Sequence, residues 1–158
     1  MKITVCWKWV SLDRDHDVDE RWAGVSSADE AALEVALSIR DVLADSDVQV
    51  VCLGPREADD VLRAALAVGA TSVTRINASP ELDGRIVAGA IADHLHDADL
   101  VLCGDYSIDR GTGSVPAFLA AELLHPPGEE KRLTERFPWL VAFAFGLLHG
   151  LGFARALL

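Results

Sequence analysis

The residues DYSIDRGTGS, Asp105 to Ser114, combine the groups with which a chain can hold a phosphate. Gly111, Thr112, Gly113 and Ser114 offer backbone N–H groups that bulkier side chains would shield. They run into VPAFLAAELL, whose pattern predicts a helix with partial positive charge at its N-terminus. Ser107, Thr112 and Ser114 can add hydroxyl donors, and Arg110 supplies the one full positive charge of the loop. Asp105 and Asp109 would repel a phosphate, so they are expected to brace the loop or to accept from a ribose or an adenine. The same residues also suit a plain strand-to-helix turn, with glycine for tightness and Ser114 as the helix cap. Neither the GxGxxG dinucleotide fingerprint nor the GxxxxGK[ST] phosphate loop occurs, which argues against ordinary dehydrogenase or NTPase chemistry.

Other clusters promise less. In DHLHD, Asp93 to Asp97, the histidines are two apart and would not share a helix face, so a solvated helix end is expected rather than a metal site. DRDHDVDE lacks the glycine and closing glutamate of a calcium loop and reads as surface. No nucleophile elbow appears, and nothing points to covalent catalysis. Cys6, Cys52 and Cys103 each sit in an apolar run without CxxC spacing, as buried, reduced thiols would.

The elements that must position the loop follow from periodicity. KITVCWKWV, DVQVVCLG, TSVTRI and DLVLCG predict four short strands. SSADEAALEVALSIRDVLA, with Ser27 and Glu30 in capping-box spacing, predicts a helix after the first strand. READDVLRAALAVGA predicts one that closes on Gly69. SPELDGRIVAGAIADHLHDA predicts a third, with Ser79 as cap and Pro80 in its first turn, and VPAFLAAELL a fourth. Strand and helix alternate four times. The strands are continuously apolar, so the expected fold is α/β: a Rossmann-like, doubly wound sandwich with helices over both faces of a parallel sheet. Ligands in such sheets bind beyond the carboxyl ends of the strands, where the strand order reverses, and residues 104–114 lie in such a place.

The chain has 158 residues and a formal charge of −11, enough for one domain and a poor match for a nucleic-acid backbone, so no nucleic-acid partner is expected. The opening MKITVCWKWV is too short in apolar residues for a signal peptide, which implies a cytoplasmic placement.

Four collinear blocks resemble the β subunit of electron transfer flavoproteins. GDYSIDRGTGSVPAFLAAEL is similar to that family's signature loop, and KITVCWKWV to its first strand, with Lys8 at the usual lysine. SSADEAALEVALSIRD and VVCLGPREADDVLRAALAVGA resemble two further family blocks, and the likeness covers about residues 1–126. It implies the adenine-nucleotide-binding α/β fold and a bound AMP or FAD. It also implies a heterodimer with an electron transfer flavoprotein α subunit, and passage of electrons from acyl-CoA or other dehydrogenases. The role would be that of a non-catalytic carrier subunit. The cofactor-binding positions that carry over are Cys6, Ser26, Ser27, Ala28, Asp29, Leu53, Gly104, Asp105, Tyr106, Ser107, Ile108, Asp109, Arg110, Gly111, Thr112, Gly113, Ser114 and Val115. Ser27 stands where the family often has proline and Arg110 where it often has glycine or aspartate, which leaves the choice between AMP and FAD open.

After residue 126 the resemblance stops: a family β subunit runs on for about a hundred residues of different sequence. HPPGEEKR reads as a boundary, giving a linker at 127–135 and an apolar helix at 136–158. Phe137 to Leu158 has Arg155 as its one formal charge and is long enough to cross a bilayer, so membrane contact through 137–158 is expected. PWLVAFAFGLLHGLGFARAL also resembles a transmembrane helix of hydrogenase/urease accessory membrane proteins, with His149 as its polar residue. Two other readings therefore stand beside the first: a fragment of such a nickel-handling protein, and a stand-alone adenine-nucleotide sensor of the universal-stress type.

Overall fold

In the computed structural model the described residues are 1–11, 23–43, 45–79, 82–106 and 113–124. Strands β1 (Lys2–Ser11), β2 (Ala23–Val25), β3 (Asp47–Gly54), β4 (Ser72–Asn77) and β5 (Leu100–Cys103) form one sheet. Helices α1 (Ser27–Val42), α2 (Asp59–Val68), α3 (Gly84–Ala92) and α4 (Ser114–Leu124) alternate with them. The parallel strands run in the spatial order β4, β3, β1, β5. The short β2, which the sequence reading did not foresee, pairs antiparallel with the end of β1 through Trp9 and Val25.

Alternation along β1 divides the interior into two cores. Ile3, Val5, Trp7 and Trp9 join Val48, Val50 and Cys52 of β3 beneath Ala32, Leu33 and Ala36 of α1 and Leu62 and Ala65 of α2. Cys6 and Leu53 join Val87, Ala88 and Ile91 of α3 and Leu119 of α4. Helices thus cover both faces of the sheet, which is why β1 and β3 need apolar residues at consecutive positions. Burying each such Val, Leu or Ile contributes about 1.5–3 kcal/mol.

Two helix starts differ from expectation. The cap of α1 is Ser26, whose Oγ accepts from the Asp29 N–H at 3.2 Å, and not Ser27, which is exposed. Shifting the cap by one residue turns Asp29 inward. Helix α3 begins at Gly84 rather than near Ser79 and Pro80, because Asp83 caps it by accepting from the Arg85 N–H at 2.9 Å. A carboxylate caps at least as well as a hydroxyl. Gly69 closes α2 at φ 122, as expected.

The chain divides into two compact units, Met1–Ala120 and Ala121–Leu158, and the first contains the whole sheet. The expected linker at 127–135 and apolar helix at 136–158 lie outside the described residues. Among the described residues no helix is long and apolar enough to cross a membrane.

Candidate functional site

The order β4, β3, β1, β5 means that the chain steps outward from β1 and then returns to its other side, so the reversal lies between β1 and β5. A cavity of about 180 Å³ opens at the carboxyl ends of these two strands. Its floor is Cys6, Trp7 and Lys8 from β1 and Cys103 and Gly104 from the end of β5. Asp29 of α1, Asp83 and Gly84 at the start of α3, and Gly113, Ser114 and Val115 at the start of α4 also line it. Three helix N-termini therefore converge on one crevice.

These three ends differ in charge. Helix α1 carries Asp29 and Glu30 in its first turn and α3 is capped by Asp83, whereas α4 has no acidic residue in its first turn. Among the described residues, α4 is the helix whose partial positive charge has no carboxylate in its cap or first turn. Gly113 precedes that helix at φ +55, and a Cβ there would lie 2.6 Å from the Asp105 carbonyl oxygen, so the turn requires glycine. A Cβ at Gly84 would approach the Ser114 Oγ to 3.1 Å, which shows how closely the starts of α3 and α4 meet.

Asp29 is the hub of the crevice. It is only 7% exposed. Its Oδ1 accepts from the Gly104 N–H at 3.1 Å and its Oδ2 faces the Lys8 N–H at 3.4 Å. Its backbone oxygen accepts from the Trp7 indole at 2.7 Å. Burial pushes its carboxyl up to about 6, against the opposing pull of the Lys8 and Gly104 N–H groups, the Ser26 hydroxyl and the Lys8 charge. The neighbouring Cys103 sulfur, then burial, hold the Cys6 thiol far above its ordinary value, and the protonated Cys6 in turn lowers Cys103. On the far side of the sheet, burial pushes Cys52 up to about 12.

Of the positions singled out in the sequence, Cys6, Asp29, Gly104, Tyr106, Gly113, Ser114 and Val115 come together around the cavity. Ser26 is buried as the cap of α1, and Leu53 is fully buried in the core under α3 and α4. Ala28 lies beside Gly104, while Ser27 and Asp105 are exposed. Ser107, Ile108, Asp109, Arg110, Gly111 and Thr112 lie outside the described residues. Trp7, Asp83, Gly84, Cys103 and Phe118 also line the cavity, and no local motif marks them for it. Cys103 was within reach: pairing the first strand with the fourth across the reversal puts it opposite Cys6. The histidine pair is exposed just beyond α3, and no group of three or more His, Cys, Asp or Glu among the described residues could hold a metal ion.

Residues 18–128 match the electron transfer flavoprotein domain family. The chain belongs to the electron transfer flavoprotein family. It is 34% identical over 143 residues to the electron transfer flavoprotein subunit beta of Megasphaera elsdenii, a match covering 78% of this chain and 53% of that protein. It is 31% identical over 140 residues to subunit CarD of the caffeyl-CoA reductase–Etf complex of Acetobacterium woodii, covering 80% and 53%. Against the Bacillus subtilis electron transfer flavoprotein subunit beta it is 32% identical over 108 residues, covering 65% and 41%. The chain spans about half the length of the curated relatives it matches. Within this electron transfer flavoprotein domain, the crevice between β1 and β5 is the feature on which the sequence motifs and the three helix starts agree.

Proposed function

We propose that this chain is the nucleotide-binding part of an electron transfer flavoprotein β subunit, holding AMP or FAD in the crevice between β1 and β5. The observation that carries this reading is the start of α4. It is the one helix end at the crevice without a carboxylate in its cap or first turn, and it follows a glycine that no other residue can replace without strain. The donor set fits an anionic group. Ser114 brings a hydroxyl and a backbone N–H, Gly113 leaves its N–H unshielded, and the Lys8 cation lies in the cavity floor. Asp29 and Asp83 neutralise the other two helix starts and direct the phosphate away from themselves. Tyr106, 43% exposed at the rim, offers a ring against which a planar base can pack.

A bound FAD supplies a redox-active ring system and a bound AMP supplies none, so the residues present decide holding and orientation rather than chemistry. The subunit itself is a non-catalytic carrier. It pairs with an α subunit, and the pair receives electrons from acyl-CoA or other dehydrogenases. Family membership and the β-subunit relatives support this assignment.

The test is extraction of the purified chain with perchloric acid, followed by chromatographic identification of what is released. AMP or FAD at near one equivalent supports the reading. ATP points instead to a nucleotide sensor. No nucleotide, together with no binding of added AMP or FAD, ends it.

A further inference from the structure

We propose that Cys6 and Cys103 form a dithiol site that a hydroperoxide converts reversibly to a disulfide across the floor of the crevice. The pair is made by strand register: Cys6 of β1 stands directly opposite Cys103 of β5 in a parallel pairing. Neighbouring strands lie about 4.8 Å apart, inside the roughly 4.4–6.8 Å of Cα separation that a disulfide spans. Both side chains leave the same face of the sheet, for Cys6 belongs to the core under α3 and α4 and Cys103 packs against it. Both line the cavity, and both are free thiols. The two sulfurs also bear on one another's proton affinity, Cys6 being held above its ordinary value and Cys103 below it.

The surroundings give the two thiols different parts. Cys6 is 4% exposed, and burial with the neighbouring sulfur keeps it protonated; Cys103 is half-buried at the cavity wall, where a small oxidant reaches it first, and its thiol is held below its ordinary value. Cys103 is therefore the attacking sulfur and Cys6 the resolving one. The Cys103 thiolate attacks the terminal oxygen of a hydroperoxide, forming an S–O bond as the O–O bond breaks. The departing alkoxide takes a proton from water and leaves as an alcohol. The Cys6 sulfur then attacks the sulfenic sulfur, the S–S bond forms, and the S–O bond breaks with loss of water, which takes up the Cys6 proton. Two electrons from two thiols thereby reduce one hydroperoxide. Cys52 is an internal control: it is fully buried in the opposite core. The inference does not depend on which anion the crevice holds.

The test uses the whole chain, which has three cysteines. After treatment with a few equivalents of hydrogen peroxide, denaturation and alkylation, two of the three thiols are lost. A Cys6–Cys103 cross-linked peptide appears on mass analysis, and dithiothreitol restores all three thiols. Cys52→Ala still loses two, and Cys103→Ser forms no intramolecular cross-link. The proposal is overturned if the unaltered chain keeps all three thiols, cross-links through Cys52 or between chains, or oxidises Cys103 to a sulfinic acid while Cys6 stays free. The unaltered chain decides the matter even where a variant folds poorly.

Discussion

Gly104 donates its N–H to the Oδ1 of Asp29 at 3.1 Å, a bond that ties the end of β5 to the first turn of α1 across 75 residues of chain. The approach is so close that a Cβ on Gly104 would lie 2.5 Å from that oxygen, 2.7 Å from the Asp29 nitrogen and 2.8 Å from the Ala28 carbonyl carbon. Two of these three atoms are backbone and cannot rotate away.

Gly104→Ala is therefore expected to push α1 off β5, with a loss of stability of about 1–3 kcal/mol, the usual scale of overpacking. Urea denaturation monitored by circular dichroism measures it. An unchanged midpoint would show that α1 can slide, and that the Asp29 hub is looser than its distances imply.

The Asp29 carboxyl gives the domain a pH signature. Its folded value of about 6 lies above the ordinary 3.8, so the native state binds this proton more tightly than the unfolded chain does. The contribution is complete below pH 3.8 and is lost as pH rises through 6, a swing of about 3 kcal/mol. Other carboxylates titrate in the same range, so the quantity to measure is the stability difference between the natural chain and Asp29→Asn. That difference should move in favour of the natural chain as pH falls from 7 to 4. Parallel stability curves for the two proteins would contradict the buried, proton-binding role of Asp29.

Gly113→Val should abolish most nucleotide binding. The turn needs φ +55, and a Cβ would meet the Asp105 carbonyl oxygen at 2.6 Å. A β-branched residue must therefore rearrange the approach to α4. Titration calorimetry with AMP and with FAD should show at least a tenfold loss of affinity while the far-ultraviolet spectrum is kept. Equal affinity in the variant would move the phosphate away from this turn.

Trp7→Phe removes the indole N–H that meets the Asp29 backbone oxygen at 2.7 Å in a buried setting, and leaves a buried carbonyl short of a partner. The expected cost is about 1–3 kcal/mol. Hydrogen exchange should speed up at the start of α1 before it does in α2. A uniform change along the chain would mean that the indole serves only as core volume.

Much of the architecture was legible because local and global signals agree. The apolar runs of β1 and β3 state that both faces are covered, and the small, polar stretch after β5 marks the end of the sheet at which the cavity opens. Helix starts were less legible. Ser26 and Ser27 are chemically identical caps, and only the inward turn of Asp29 distinguishes them. Ser79 and Asp83 competed for α3 in the same way, and the carboxylate that meets the Arg85 N–H prevailed. Strand β2 was missed because three residues give no periodicity. Trp7 depended on the packing of α1 against β1, which no local pattern encodes, whereas Cys103 follows once the first predicted strand is paired with the fourth. The electron transfer flavoprotein resemblance, by contrast, rested on four blocks in one order, and residues 18–128 carry the family match.

The order of strands also sets when this site can exist. Its walls draw on Cys6 at one end and Phe118 at the other, with β5, the last sheet strand in the sequence, pairing with β1, the first. During synthesis the emerging chain can assemble the β1–β3–β4 half with its two helices while the crevice still has one wall. Closing it means joining segments some hundred residues apart, a step slowed by the entropy of so long a loop. The crevice is thus whole only when the start of α4, which follows the last strand of the sheet, has left the ribosome as well.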